Sequence, residues 1–279
     1  MLAAVFLGAL MEVVGGRVIR TWTIWQIVWV RYTVHLLITL AVWGFRASPV
    51  WRTNKPTRQI VRSAMMLLMP GTFAIALARG AAPGMAFAIF WIAPLILMAV
   101  AWFTLGERQS PRGWAIATLG WAAAWEVYAP SGRPSLLTVG LSLGMAASFA
   151  LYIVMTRDLR DQSLGTNLFY TAFVPWVTLL PLMPRVWVMP QPVELAGIAV
   201  VGAAGWLGLL ATDRAASAAP VSRTAPLLPL QLAFTVVLAL FAARSPRAVT
   251  LAAAVVLMLA TGTLLWFLLE REPRGLPSA

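Results

Sequence analysis

The sequence predicts an all-α, polytopic membrane protein with ten transmembrane helices in two inverted five-helix repeats. Three observations carry that prediction. Of the 279 residues, 61% are apolar and only 11% charged, against about 25% charged in a soluble domain, so the polar side chains cannot coat a water-facing surface. The apolar residues fall into runs near the ~20 residues that cross ~30 Å of hydrocarbon. Landmarks also recur at a fixed offset, as set out below. The chain lacks cysteine, which removes thiol chemistry, iron–sulfur clusters and disulfides. His35 is the single histidine, so a histidine-built metal site is excluded, and no metal or cofactor is expected.

Taken in order, the spans fall at about 2–20, 24–45, 60–79, 84–105, 112–129, 135–156, 166–184, 194–212, 219–241 and 247–269. The first run has no basic segment ahead of it and is interrupted by Glu12, so it reads as a retained helix rather than a signal peptide. Almost every gap holds a charge or a breaker, as in Arg79-Gly80 and Pro130-Ser131-Gly132-Arg133-Pro134. The longest gap, 46–59, is too short for a soluble domain. The net charge of +12 comes from arginines standing singly between apolar runs, the pattern of loops that flank spanning helices rather than of a nucleic-acid surface. With the N-terminus inside, thirteen cations, Arg62 among them, fall on inner segments and seven on outer ones. This places both termini in the cytoplasm of a bacterial inner membrane.

Shifting the chain by 135 residues lays Arg79 on Arg214, Pro94 on Pro229, and Ser110-Pro111-Arg112 on Ser245-Pro246-Arg247. Residues 1–130 are therefore read as one five-helix repeat and 131–279 as a second with a short C-terminal tail. Five is odd, so the second repeat inserts upside down, an architecture associated with transporters.

The stretch from Ala86 to Leu95, followed by Leu105-Gly106-Glu107-Arg108, resembles the drug/metabolite transporter superfamily, EamA type, and Arg214 to Pro229 is similar to its later repeat. One departure is Phe241-Ala242-Ala243-Arg244 where the first half has Gly106-Glu107. The resemblance implies ten helices, cytoplasmic termini, a central cavity and export of amino acids, aromatic ones among them, or of similar metabolites.

The residues themselves point to a midplane site. Matched helix breakers mark it: Pro70 and Gly71 opposite Gly205, and Pro94 opposite Pro226 and Pro229. A proline frees a carbonyl that needs a partner in lipid, which favours positions facing protein or a wet cavity. Ionisable groups inside spans are expensive, and Glu12, Arg31 and His35 are such groups. They are expected to meet if the first two helices pack face to face, with Glu12 taking a proton or amino group and Arg31 a carboxylate. Trp91, Tyr152, Trp206 and Gln231 supply aromatic and amide contacts. A small-molecule substrate and the bilayer are the expected partners, nucleic acid is not, and the chain is read as a monomer or homodimer. The leading function is secondary or facilitative export of amino acids. Uptake, movement of a nucleotide sugar or lipid-linked precursor, a scaffold and an intramembrane enzyme stay open beside it. Gly140-Leu141-Ser142-Leu143-Gly144 carries the letters of a hydrolase elbow, but within an apolar helix it reads as small-residue packing.

Overall fold

A computed structural model describes residues 1–18, 22–44 and 49–240, together with residue 262. The expected tenth span, Ser245-Pro246-Arg247 and the 241–244 departure lie outside the described residues. The chain is all-helical, with no strand among the described residues. Its helices are α1 (Leu2–Val18), α2 (Ile24–Trp43), α3 (Pro56–Ala78), α4 (Pro83–Phe90), α5 (Ala93–Leu105) and α6 (Pro111–Tyr128) in the first half. The second half has α7 (Leu136–Asp158), α8 (Leu164–Leu179), the one-turn α9 (Met183–Val186), α10 (Pro192–Ala218), the one-turn α11 (Val221–Thr224) and α12 (Leu230–Leu240). Seven stretches are long and apolar enough to cross a membrane, counting α4 with α5, α8 with α9 and α11 with α12. The first and fifth expected spans are also helical, as α1 and α6. The chain is thus a multi-pass membrane protein. Large apolar side chains such as Leu37, Phe103 and Leu136 face outward, 61%, 82% and 92% exposed, as a lipid-facing surface requires.

Local chemistry sets the helix ends. Thr23, Ser110, Ser135 and Ser163 each cap a helix by accepting from the backbone N–H three residues on, satisfying donors that lipid would leave bare. Gln191 and Glu194 close a capping box on α10. Gly106 ends α5 in the left-handed conformation, φ +66°, where a side chain would clash. Pro94 has no N–H for the Phe90 carbonyl, and the backbone tightens to Ile92 N–Ile89 O and Leu95 N–Ile92 O bonds at 3.1 and 3.0 Å, separating α4 from α5. At the position 135 residues on, Ala225–Leu227 forms a 3-10 turn between α11 and α12. Pro70 behaves differently from the expected helix break: α3 runs through it without interruption.

Buried alanines let the helices approach closely; Ala86, Ala88, Ala93, Ala101, Ala123, Ala124, Ala146 and Ala150 are fully buried. In lipid this close packing replaces the hydrophobic drive. The α3 helix lies along α7, and α1 along α10; α3 meets α8, and α10 meets α2; α5 packs on α7, and α12 on α1. Each of these pairs turns into the other when helices of the two halves are exchanged. Helix directions alternate, so the bundle has an N face, where α1 begins, and an opposite face.

Candidate functional site

Two buried polar clusters lie at different depths. Nearer the opposite face, Glu12 of α1 accepts from the Tyr128 hydroxyl at 2.7 Å and from Thr235 Oγ1 at 3.3 Å. The Trp91 indole N–H in turn donates to Tyr128 at 3.3 Å. Trp91 stands at the α4–α5 break, buried against Ala123, Ala124 and Leu232. The Tyr128 ring stacks on Phe87 at 5.3 Å, and Phe87 touches Phe73 and Phe90. Gln231 lies over Gly8; a Cβ there would come within 2.6 Å of Gln231 Oε1. Glu12 has no ion-pair partner among the described residues. Two hydroxyl groups and the Gln231 amide hold it beside an aromatic wall.

Nearer the N face, Arg62 of α3 is fully buried. Its Nη1 donates to Thr156 and to Asp213 of α10 at 3.2 and 3.3 Å; its Nη2 donates to the Asn167 carbonyl and to Thr171 at 2.5 and 2.7 Å. Asn167 also donates to Asp213 at 3.3 Å and accepts from Gln59 at 2.6 Å. Tyr152 lies under the guanidinium, 5.3 Å from its ring centre. This cluster joins one helix of the first half to three of the second.

The expected site residues divide among these places. Glu12, Trp91 and Gln231 come together, at the start of α12 just after Pro226 and Pro229. The expected meeting of Glu12 with Arg31 does not form, because α1 packs along α10 and α12 while α2 packs on α8 and α10. Arg31 instead reaches Met11 Sδ at 3.8 Å and lies over the Tyr32 ring at 5.1 Å. His35, one turn on, faces Gly205, where a Cβ would sit 2.9 Å from its Nε2. Its ring nitrogens close no hydrogen bond of good geometry among the described residues. Gly71 lies against Trp25. Tyr152 joins the Arg62 cluster, and Trp206 donates to Thr39 at 2.9 Å beside Trp43. A cavity of about 480 Å³ opens at the N face, lined by Trp43, Ser163, Gly165, Arg214 and neighbours. The expected site residues do not line it.

Arg62 and Asp213 went unrecognised as site residues in the sequence, Arg62 being counted among loop cations. Its helix starts four residues before the expected boundary, with Pro56 at the first helical position. Arg62 already lay within the expected span 60–79, and that proline is the signal that sets it well inside the helix rather than at its edge.

At the N face, a rim of polar contacts ties the halves. Lys55 pairs with Asp161 at 2.8 Å, Arg58 with Asp158 at 2.6 Å, and Arg157 with Glu107 at 3.3 Å. Glu107 also accepts from the Val221 N–H. The hydrogen bond from Lys55 holds the exposed Asp161 carboxyl below the usual carboxylate range.

The comparisons agree with a small-metabolite membrane transporter. No family model matches the chain. It is 26% identical over 244 residues to an S-adenosylmethionine uptake transporter of Rickettsia felis, covering 85% of this chain and 81% of that one. It is 24% identical over 223 residues to the S-adenosylmethionine uptake transporter of Rickettsia prowazekii, covering 77% and 74%. A solved crystal structure shares the fold across 97% of both chains, with a TM-score of 0.83 at 16% identity. These relatives support a small-metabolite membrane transporter, and they are named for transport rather than catalysis. Amino-acid export, the leading expectation from sequence, finds no support in them; uptake, its alternative, fits their names.

Proposed function

We propose that the chain takes up a zwitterionic or cationic metabolite of the S-adenosylmethionine type by alternating access between inverted repeats 1–130 and 131–279. The observation that carries this is Glu12: a carboxylate placed inside the bundle, without a countercharge among the described residues, next to stacked aromatic rings. A buried charge without a partner is costly, and a cationic ligand removes that cost on binding. In this reading Glu12 receives the sulfonium or ammonium group, and Phe87, Trp91 and Tyr128 receive the flat purine. Arg31, which has no carboxylate partner among the described residues, receives the carboxylate. Gln231 offers its amide to the ring. His35 and Gly205 set the spacing of α2 and α10, while Trp206 packs that seam through Thr39. The breaks at Pro94, Pro226 and Pro229, and the helix carrying Pro70 and Gly71, are the moving parts. In this reading the N face, and both termini, lie in the cytoplasm, as the cation excess of the inner segments supports.

The test is uptake of labelled S-adenosylmethionine into proteoliposomes. Glu12→Gln should lower it by about ten- to a hundredfold, the worth of a hydrogen bond to a charged group, and Trp91→Ala by about tenfold. Uptake at the parent level in both variants overturns the placement of the site; absence of uptake in the parent overturns the substrate.

A further inference from the structure

Arg62 uses its guanidinium incompletely. Asp213 meets it through a single oxygen–nitrogen contact of 3.3 Å, whereas arginine–carboxylate pairs favour two parallel bonds of about 2.7–2.9 Å. Among the described residues, Arg62 Nε, the Tyr152 hydroxyl and Gln59 Oε1 close no hydrogen bond of good geometry. Three such polar atoms in one buried cluster call for an explanation beyond packing, because a buried polar group without a partner is costly. The surroundings supply one. Every partner of Arg62 belongs to the second half, so the cluster spans the seam that must part when the N face opens. The N-face cavity is lined by Gly165 and Arg214, two residues from Asn167 and one from Asp213. Its volume, about 480 Å³, is within the range that holds a nucleoside-sized metabolite. Arg214 makes it attractive to anionic groups.

We propose that Arg62 is a carboxylate-binding station on the N-face side of the path, and that Asp213 is an internal carboxylate occupying it while this end is closed. The inference rests on the transport function proposed above. As the end opens, a ligand carboxylate takes the Arg62 fork through Nε and one Nη, and Asp213 keeps Asn167. Arg31 and Arg62 then hold the ligand's carboxylate in turn on the two sides of the midplane.

The chain has no native cysteine, so Met66→Cys places one thiol a turn beyond Arg62, behind the latch. In liposomes, a membrane-impermeant maleimide on the N-face side should label it at least about tenfold faster when Asp213→Asn is added, a shift of about 1.4 kcal/mol toward the open state. Leu232→Cys, buried in the Trp91 cluster, should stay protected in the same background, which separates gate opening from general loosening. In detergent, S-adenosylmethionine should stabilise the parent at concentrations about tenfold below those needed for its decarboxylated analogue. Arg62→Lys, which keeps the charge and loses the fork, should narrow that difference severalfold, Arg31 keeping the remainder, and an unchanged difference overturns the Arg62 station. Equal labelling with and without Asp213→Asn, or equal midpoints for the two nucleosides in the parent, overturns the proposal. If neither nucleoside binds while the Asp213→Asn thiol is still exposed, the substrate assignment falls and Asp213 stands as the closing group.

Discussion

The Arg62 end and the Glu12 end of the bundle solve the problem of a charge in lipid in opposite ways. At the first, a cation meets an anion from the other half, and hydroxyl, amide and aromatic groups surround both. At the second, an anion meets only neutral groups among the described residues, Tyr128, Thr235 and Gln231. In the proposal above, a matched pair crossing the seam holds an end shut. In the proposed function, an unmatched charge among aromatic rings receives a ligand that brings the missing charge. The contrast also explains the rim of ion pairs beneath Arg62, since the end that the pair closes is the end those contacts reinforce.

The largest expected effect tests the matched end. Asp213→Ala should cost about 3–5 kcal/mol, because it strands the Arg62 charge in the interior. It is read as a loss of monodisperse protein or a large fall in melting temperature in detergent. The double variant Arg62→Met with Asp213→Leu should recover much of that loss while abolishing gating. Next comes the seam between the ends. Gly202→Ala places a Cβ 2.7 Å from Val34 Cβ, so α2 and α10 must separate, at about 1–3 kcal/mol. Gly140→Ala, with nothing within 4 Å, serves as the matched control and should melt like the parent. The unmatched end should respond less in stability. Glu12→Gln keeps an acceptor for Tyr128 and removes an unpaired charge, so melting should change by the equivalent of about 1 kcal/mol or less even as uptake collapses. A large destabilisation would show that Glu12 is paired structurally, and the contrast would fail.

The smallest effect lies on the rim. Asp161 is held below its ordinary range by Lys55. Its contribution to stability is therefore complete above the unfolded carboxylate range, near pH 3.9. It is lost as pH falls through the lower folded value. Lys55→Met should remove that acid-side dependence from the melting curve and leave melting at neutral pH nearly unchanged.

Much of the bundle was legible because its causes are local. The apolar runs gave nine helices at the expected places among the described residues, and Pro94 and Pro229 stand at the start of helices that follow breaks. Glu12, Trp91 and Gln231 were legible as candidates because a charge, an indole and an amide near those breaks are rare in lipid-facing helix. Tyr128 was missed because its place at the end of a span looks like an interfacial aromatic. Arg62 and Asp213 were missed through boundaries. The expected third span began at 60, but α3 begins at Pro56; the expected eighth ended at 212, but α10 continues to Ala218. The four added residues set Arg62, counted as a loop cation although inside the expected span, well within α3, and the six added residues bring Asp213 within α10.

Composition and breaker spacing thus determined by themselves that this chain lives in a membrane, that it crosses as helices, and that it breaks near Pro94 and Pro226–Pro229, though not at Pro70. Each of these follows from transfer of a segment to hydrocarbon and from backbone hydrogen bonding within a turn or two. Only the tertiary structure decided which charges are matched. Arg62 and Asp213 are 151 residues apart in sequence, and Glu12 and Tyr128 are 116 apart. Whether such groups meet depends on the rotation and neighbours of whole helices, which small-residue contacts such as Gly202 against Val34 set far from either charge.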